Sequence, residues 1–395
     1  MRLLVVLSRF PYPLEKGDKL RAYNQLKILS KHHEIYLVAL NERTLRQSDI
    51  EKIEPFCKEL HIVNLHWWTK LFHIFTFFLK GFPLQCGYFY SNKAQKKIRH
   101  LIHNVKPDHI YGQLIRVAEY IKKSPVEKTL DYQDVLSKGI ARRAKVASWY
   151  WKPFLMMEYK RVARYETEVF SYFDHRTIIT GVDRDLIPHP SFNKIHVVAN
   201  GVDFEMYSDK VEDKEYDLIF TGNMSYVPNV EAAEYLAKTI FPLLQQDFPD
   251  LKLVICGANP SPKVKQLASE NIVITGWVDS IADYYAKSKV FVAPMQLGTG
   301  LQNKLLEAMA MKLPCVTSTL AGKPLDNIEA GKEIMICSTT TGYIESVKTL
   351  LTNPVLYQEI SQNGHEFVKR NYSWEKTVQK LNEIMRGDKE LKIES

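Results

Sequence analysis

Short apolar segments separated by longer stretches of helical pattern recur along the whole chain, and this alternation constrains the fold more than any other feature. Strands that alternate with helices form parallel sheets covered by helices on both faces. In the first half, the predicted strands are residues 3–7, 35–40, 109–111, 129–132 and 177–180. The sequence therefore predicts an α/β fold that begins with a doubly wound parallel sheet.

The pattern restarts after a break at residues 188–190, which contain two prolines. The second set of predicted strands is residues 195–198, 217–221, 251–256, 272–275, 290–293, 315–317 and 334–337. A chain of 395 residues is long enough for two domains that each bury their own core. We therefore predict one α/β domain at 1–190, a second at 191–371, and a terminal helical segment at 372–395.

One glycine-rich loop, with Gly298 and Gly300, lies between a predicted strand at 289–293 and a predicted helix at 305–311. Such a turn directs backbone N–H groups and the positive end of the helix dipole toward one point, which can bind phosphate. Glu307, one turn into the helix, would repel a phosphate placed too close. It suits a pair of hydroxyl groups, such as the ribose next to a diphosphate. The alternative is an ordinary strand–loop–helix unit with Glu307 facing solvent.

Several further motifs accompany this loop: Arg9-Phe10-Pro11-Tyr12-Pro13, Lys16-Gly17-Asp18, Asn200-Gly201-Val202-Asp203, Phe220-Thr221-Gly222-Asn223-Met224, Met311-Lys312-Leu313-Pro314 and Tyr372-Ser373-Trp374. Together they resemble the family-4 retaining glycosyltransferases over nearly the whole chain. That family has the GT-B fold, in which two Rossmann-like domains face an interdomain cleft. The resemblance implies that 372–395 crosses back to the amino-terminal domain and that Glu307 holds the donor ribose.

The resemblance also implies a set of residues that bind the nucleotide sugar. On the amino-terminal side, the turn at Gly17 would approach the diphosphate, although many relatives have two glycines there; a solvated surface turn is the alternative. Thr299 stands where the family motif has its first Glu, and its hydroxyl and two neighbouring N–H groups would replace that carboxylate. The full set of implied contacts is Gly17, Asp18, Lys19, Arg21, Gly222, Asn223, Trp277, Val278, Thr299, Gly300, Leu301 and Glu307.

Transfer of a sugar needs positive charge for the departing diphosphate. Asn223, Asn229 and Gln296 are neutral where relatives tend to be basic, so Lys304 is our first candidate, with Lys19 and Arg21 as alternatives. Two acids, Asp131 and Asp134, end the strand at 129–132. We expect Asp134, and with less weight Asp131, to contact the sugar or the acceptor; they would otherwise cap the following helix.

The sequence lacks the motifs that would indicate dinucleotide binding, P-loop nucleotide binding or a metal site. The first strand–helix turn has no G-x-G-x-x-G, and a P-loop with its lysine and hydroxyl is also missing. Asp183-Arg184-Asp185 resembles a metal-binding acidic pair, but its place at a helix start indicates capping. Five scattered cysteines indicate reduced thiols of a cytosolic protein. We therefore expect no metal and no cofactor besides the nucleotide sugar, which is a substrate.

A net charge of +8 favours anionic partners. The segments 67–80 and 142–161 combine aromatic and cationic residues, in the half that holds the acceptor in GT-B enzymes. Such segments lie on membrane surfaces or simply pack on a sheet, and we expect loose contact with the cytoplasmic face of the plasma membrane. The absence of an RNA-binding motif argues against nucleic acid.

The sequence thus predicts a metal-independent, retaining glycosyltransferase of the hexosyltransferase type. Its donor would be a UDP- or GDP-sugar. Its acceptor would be a growing, lipid-linked surface glycan of an exopolysaccharide, capsule or lipopolysaccharide. Two alternatives remain: a nucleotide-sugar 2-epimerase, which shares the GT-B fold, and a non-catalytic, lectin-like protein that retains it.

Overall fold

The computed structural model describes residues 1–208, 212–298 and 300–387, and it describes Val146 by its backbone only. The chain divides into two compact units. The first contains Met1–Ala199 and the chain from Val378 on, and the second contains Asn200–Thr377. Each unit is built on one wholly parallel sheet. The predicted α/β class with two Rossmann-like sheets is confirmed.

The sheet of the first unit has seven strands in the order β3-β2-β1-β4-β5-β6-β7. Its central strands are almost continuously apolar, because a parallel strand covered on both faces has no side that meets water. The strands are β1 Arg2–Leu7, β2 Glu34–Asn41, β3 Glu59–Asn64, β4 His109–Gln113, β5 Lys128–Asp131, β6 His175–Ile178 and β7 His196–Val197. The helices are α1 Gly17–Leu29, α2 Gln47–Glu51, α3 Trp67–Leu79, α4 Leu84–Tyr88, α5 Asn92–Val105, α6 Ala118–Ile121, α7 Leu136–Val146, α8 Lys152–Phe170 and α9 Gly181–Arg184.

The sheet of the second unit has six strands in the order β10-β9-β8-β11-β12-β13. Its strands are β8 Tyr216–Thr221, β9 Leu253–Cys256, β10 Ile272–Gly276, β11 Ser288–Ala293, β12 Cys315–Ser318 and β13 Met335–Cys337. Its helices are α10 Val227–Tyr235, continued by a π-helical stretch at Leu236–Ile240, α11 Phe241–Gln245, α12 Pro262–Lys265, α13 Ile281–Ala286, α14 Asn303–Ala310, α15 Thr319–Gly322, α16 Thr340–Thr352 and α17 Pro354–Asn371.

Two features of the first unit differ from the sequence prediction. The edge strand β3 was not predicted, because Glu59, His61 and Asn64 interrupt its apolar pattern; an edge strand pairs on one side only and stays half exposed. Residues 195–198 were expected to open the second unit. Instead β7 pairs with β6, with His196 beside Thr177, so the first unit continues past the two prolines to Ala199.

The last helix, α18, spans Trp374–Arg386. Its residues up to Thr377 group with the second unit, and those from Val378 on group with the first. Within the first unit, His33 Nε2 and Asn382 Oδ1 are joined by a 2.7 Å hydrogen bond, and Leu381 is fully buried. The final helix therefore contributes to the core of the amino-terminal unit.

In both sheets the strand order reverses at one position. The chain moves outward from β1 to β3 and then returns to place β4 on the other side of β1; β8 and β11 repeat this arrangement. Ligands of open parallel sheets bind beyond the carboxyl ends of the two strands that flank such a reversal. The topology therefore directs attention to the ends of β1 and β4 and to those of β8 and β11.

The five cysteines are all free thiols, four of them buried and Cys57 half-buried. None of the helices in the described ranges has the length and apolar character needed to cross a membrane.

Candidate active site

The end of β8 has room only for glycine. A Cβ on Gly222 would lie 2.6 Å from Asn229 Nδ2 and 3.1 Å from Lys304 Nζ. A Cβ on Gly257, after β9, would lie 1.7 Å from the carbonyl oxygen of Gly222. The absence of side chains at Gly222 and Gly257 therefore lets Asn229, Lys304 and the backbone approach closely at the strand reversal.

Lys304 lies beside this glycine, in the first turn of α14. Its Nζ donates a 2.5 Å hydrogen bond to Asn229 Oδ1 and lies 4.7 Å from the centre of the Phe220 ring. Asn229 in turn donates to the backbone oxygen of Asn223 at 3.0 Å. Burial lowers the pKa of Lys304 to about 7, and the nearby Glu307 carboxylate opposes that shift. The Lys304 side chain therefore places a positive charge at the strand reversal between β8 and β11 whenever it is protonated.

Glu307 follows Lys304 on the same face of α14. Its Oε2 accepts a 3.2 Å hydrogen bond from the Tyr285 hydroxyl, and the Tyr207 hydroxyl also bonds to this carboxylate. Burial raises the pKa of Glu307, whereas Tyr285, Lys304 and Tyr207 act in the opposite direction. The carboxylate is half-buried and held by two phenols, and is not a solvated surface charge.

The loop before α14 combines left-handed glycines with an open helix start. Gly298 has φ 105° and Gly300 has φ 82°, values that favour glycine over other residues. No side chain of the described residues caps the first turn of α14, whose N-cap is Gln302. Leu301 is half-buried, and Thr299 lies outside the described residues. The start of α14 therefore has the features of an anion-binding site.

The turn after β10 contains the residues expected to border a base. Gly276 has φ 72°, and Trp277, which follows it, has 72% of its surface exposed. Val278 is half-buried. The Trp277 indole is thus accessible to a ligand at this turn.

Arg21 and Asp131 form a buried ion pair and are not placed to meet a ligand. Arg21 Nε lies 2.7 Å from Asp131 Oδ2, and both side chains have 0% exposure. Asp131 also accepts hydrogen bonds from the Tyr111 and Thr177 hydroxyls, at 2.8 and 3.0 Å. The sequence analysis expected Arg21 to meet the diphosphate and Asp131 to contact the sugar or the acceptor. The structure corrects both expectations, because the pair joins α1 to β5 inside the first unit.

The turn before α1 borders a cavity of about 500 Å³ in the first unit. Gly17 is exposed, and the Asp18 carboxylate pairs with Arg9. Lys19 is buried, donates to the Tyr12 carbonyl at 3.3 Å, and has its pKa lowered by burial. Cations outnumber acids in the lining: Arg9, Lys16, Lys19, Arg43, Arg46 and Lys52 against Glu15, Glu42 and Asp49.

Asp134 lies exposed just beyond β5. Partial loss of hydration and the negative charge of Asp183 raise the pKa of Asp134 to about 6, while Arg116 and Arg142 oppose that shift. Asp183 itself belongs to a helix cap, since its backbone N–H donates to Thr180 Oγ1 at 3.0 Å. In the described ranges, no three His, Cys, Asp or Glu side chains form a group that could hold a metal ion.

The sequence analysis did not identify the groups that hold Lys304 and Glu307. Tyr285 comes from α13 and Tyr207 from the loop before β8, and their hydroxyls meet Glu307 only through the fold. Tyr285 also bonds to Thr221 Oγ1 at 2.8 Å. No local motif marks these tyrosines, because each lies far along the chain from its partner.

Two Rossmann-like units, each built on one parallel sheet, define the class: the fold is that of the GT-B glycosyltransferases. Residues 215–353, all in the second unit, match the family model described as glycosyl transferases group 1.

Solved structures agree with this class. A glycosyltransferase from Rickettsia africae is 12% identical, with a TM-score of 0.68 over 99% of both chains. The HepE protein of Anabaena, crystallised with UDP, is 12% identical, with a TM-score of 0.70 over 98% of this chain and 100% of that one. At these identities the likeness shows the fold alone.

Two curated proteins are similar in sequence. A 44.6 kDa protein of Klebsiella pneumoniae, described as uncharacterized and in the cps region, is 22% identical over 96% of this chain and 98% of its own length. The N-acetyl-alpha-D-glucosaminyl L-malate synthase of Bacillus anthracis is 26% identical over 50% of this chain and 56% of its own.

Proposed function

We propose that the protein is a metal-independent, retaining glycosyltransferase that moves a hexose-type sugar from a UDP- or GDP-sugar to a growing surface glycan. The observation that carries this proposal is the position of Lys304 and Glu307. Both lie on one face of α14, at the strand reversal of the second unit, next to the glycine loop. A cation and a carboxylate placed together there suit a diphosphate and the ribose attached to it.

In this proposal the second unit binds the donor. The N–H groups of Gly300 and Leu301 and the start of α14 receive the diphosphate, and Thr299, the preceding residue in the sequence, is a further candidate contact. Glu307 accepts hydrogen bonds from the ribose hydroxyls. The backbone at Trp277 and Val278 borders the base. Gly222 and Asn223, at the end of β8, are the candidate contacts to the rest of the donor.

The transfer step breaks the bond between the anomeric carbon and the diphosphate oxygen and forms a bond from that carbon to an acceptor hydroxyl oxygen. Negative charge develops on the departing diphosphate, and the protonated Lys304 stabilises it. The proton of the acceptor hydroxyl leaves with the diphosphate, so that atoms and charge balance. The new bond forms on the face that the diphosphate leaves, which retains the anomeric configuration.

We place the acceptor on the first unit. Its cavity of about 500 Å³ is lined by Lys16 and Lys19, which flank Gly17 and Asp18 in the sequence, and cations predominate in its lining. This lining suits an acceptor with an anionic part, such as the phosphate of a lipid-linked glycan at the cytoplasmic face of the membrane. Asp134, exposed beyond β5, is the candidate contact to a sugar hydroxyl.

The comparisons support parts of this proposal. The family-model match falls on the unit that we assign to the donor. HepE of Anabaena was crystallised with UDP and with UDP-glucose, which supports a uridine nucleotide. The Klebsiella relative from a cps region supports a surface glycan as the product.

Calorimetric titration with UDP, GDP and ADP tests the donor site directly. We expect one of the first two to bind, and to bind more weakly to Lys304→Ala than to the unaltered protein. Incubation with the matching nucleotide sugar should then release the nucleoside diphosphate slowly by hydrolysis. Absence of binding by all three nucleotides, or conversion of the donor sugar into its 2-epimer, would contradict the proposal.

A further inference from the structure

One helix of the first unit presents a large apolar face to solvent. Along α3, two neighbouring rows of side chains four residues apart have more than half of their surface exposed: Trp67 56%, Trp68 67%, Leu71 54%, Phe72 61%, Phe75 61% and Leu79 67%. The opposite face of the same helix is packed, since His73 is buried and Phe77 contacts Phe82 and Tyr90. The exposed face is therefore additional to the one that anchors α3.

A second exposed aromatic group lies at the start of α8. Trp149, Tyr150, Trp151 and Phe154 are 84%, 61%, 55% and 40% exposed. The helix α8 packs beside α3 and α4: Arg161 lies 4.2 Å from the centre of the Phe78 ring, and Glu158 accepts from the Leu84 N–H at 2.8 Å. Phe154 precedes Arg161 by seven residues, about 10 Å along the helix axis. Together these ten exposed residues are called the aromatic surface.

The chain around the aromatic surface contains cations and lacks acids. Residues 60–107 contain seven Lys or Arg and no Asp or Glu, and residues 135–157 contain five and none. Two acids that contact α3 or α4 are already engaged: Glu42 binds Lys70 and Tyr88, and Glu158 is buried against Leu84. A partner for this region must therefore accept exposed apolar rings and excess positive charge together.

We propose that the aromatic surface docks the protein onto a bilayer that contains anionic lipids. Tryptophan and tyrosine favour the boundary between headgroups and acyl chains, and lysine and arginine favour anionic headgroups. An amphipathic helix such as α3 lies in that boundary parallel to the membrane plane. A second copy of the chain fits less well, because two such surfaces would bring like charges together. This inference stands independently of the donor site.

Vesicle sedimentation with the full chain tests the proposal. We expect the protein to sediment with vesicles of phosphatidylcholine and phosphatidylglycerol, and at least about tenfold less with phosphatidylcholine alone, because each cation near an anionic surface adds to binding. The variant Trp68→Glu/Phe72→Glu/Phe75→Glu should lose sedimentation. The control Val355→Glu changes a residue of α17 that is 67% exposed and should sediment normally.

Circular dichroism melting and nucleoside diphosphate titration of the triple variant establish that it is folded and that the donor site is unchanged. Undiminished sedimentation of a folded triple variant would overturn the proposal. A dimer of the unaltered protein that the triple substitution dissociates, with no vesicle binding, would also overturn it and would assign the surface to self-association.

Discussion

The ammonium group of Lys304 is held in a site where contact with water is poor. Asn229 and the Phe220 ring lie against it, and burial lowers its pKa to about 7. A group with this pKa is only partly charged near neutral pH. An anion that binds beside it would favour the protonated form, so ligand binding and proton uptake are expected to be coupled.

We therefore expect nucleoside diphosphate binding to weaken as the pH rises above about 7, by up to about tenfold per pH unit. The sign follows from the lowered pKa: below it Lys304 is already protonated, and above it the ligand must restore the proton. Calorimetry in buffers with different ionisation enthalpies measures this uptake. Lys304→Arg stays charged across the range and should remove the pH dependence; its persistence in that variant would assign the effect to another group.

The same ammonium should matter more for the rate than for donor affinity. If Lys304 acts on charge that develops in the transition state, Lys304→Ala should lower kcat by about 10²–10³-fold with a smaller change in donor binding. Single-turnover rates at saturating donor measure this, with Lys19→Ala as the comparison. A normal rate for the first variant and a collapse for the second would place the positive charge on the first unit instead.

Glu307 supports a separate prediction about binding. Glu307→Gln should weaken nucleoside diphosphate binding by about 1–3 kcal/mol, because a charge-assisted hydrogen bond to the ribose is lost. The amide retains an oxygen that accepts from Tyr285, so the fold should survive. The matched control is Glu359→Gln on α17, where the side chain is exposed. Equal affinity of the unaltered protein and Glu307→Gln would refute the ribose contact.

At the scale of elements, local sequence pattern predicts the buried strands well and the edges poorly. The strands β1, β2, β8 and β11 were predicted to within two residues at each end, because strands buried on both faces are apolar without interruption. The half-exposed β3 lacks this signal. The short β7 was recognised as a strand, but its assignment to a sheet depends on its partner β6, which no local pattern reveals.

The ion pair between Arg21 and Asp131 shows how a helix is attached to the sheet. Asp131→Ala should lower the free energy of unfolding by about 3–5 kcal/mol, because the buried Arg21 guanidinium would lose its counter-charge. Urea unfolding followed by circular dichroism measures the change. The exposed pair Arg43–Glu15 is the control, and Glu15→Ala should cost at most about 1 kcal/mol. A cost of that small size for Asp131→Ala would show that the pair is not structural.

At the scale of the whole molecule, the protein itself has a positive charge at the place where we propose that the diphosphate leaves. Lys304 and the start of α14 meet at the strand reversal of the second unit. We therefore expect sugar transfer, or donor hydrolysis, to continue in EDTA. Turnover that stops in chelator and returns on addition of Mg²⁺ or Mn²⁺ would contradict this and would redirect attention to Asp134 and Asp183.

The amino-acid sequence by itself determined the class of fold and the position of the glycine loop that we propose binds phosphate. Both follow from local physics: apolar runs of strand length, helical periodicity, and glycines before a helix start are properties of neighbouring residues. The segment Gly298–Glu307 therefore indicated an anion-binding site before any contact between distant residues was known.

Only the tertiary structure decided which charged side chains are available. Arg21 and Asp131 resembled ligand-binding residues in sequence, but 110 positions apart they neutralise each other inside the first unit. Lys304 and Glu307 were already the preferred candidates in the sequence, but only the structure shows that Asn229, Tyr207 and Tyr285 hold them at the strand reversal. Burial and pairing depend on residues far along the chain, so the chemistry of each ionisable group was decided by the fold.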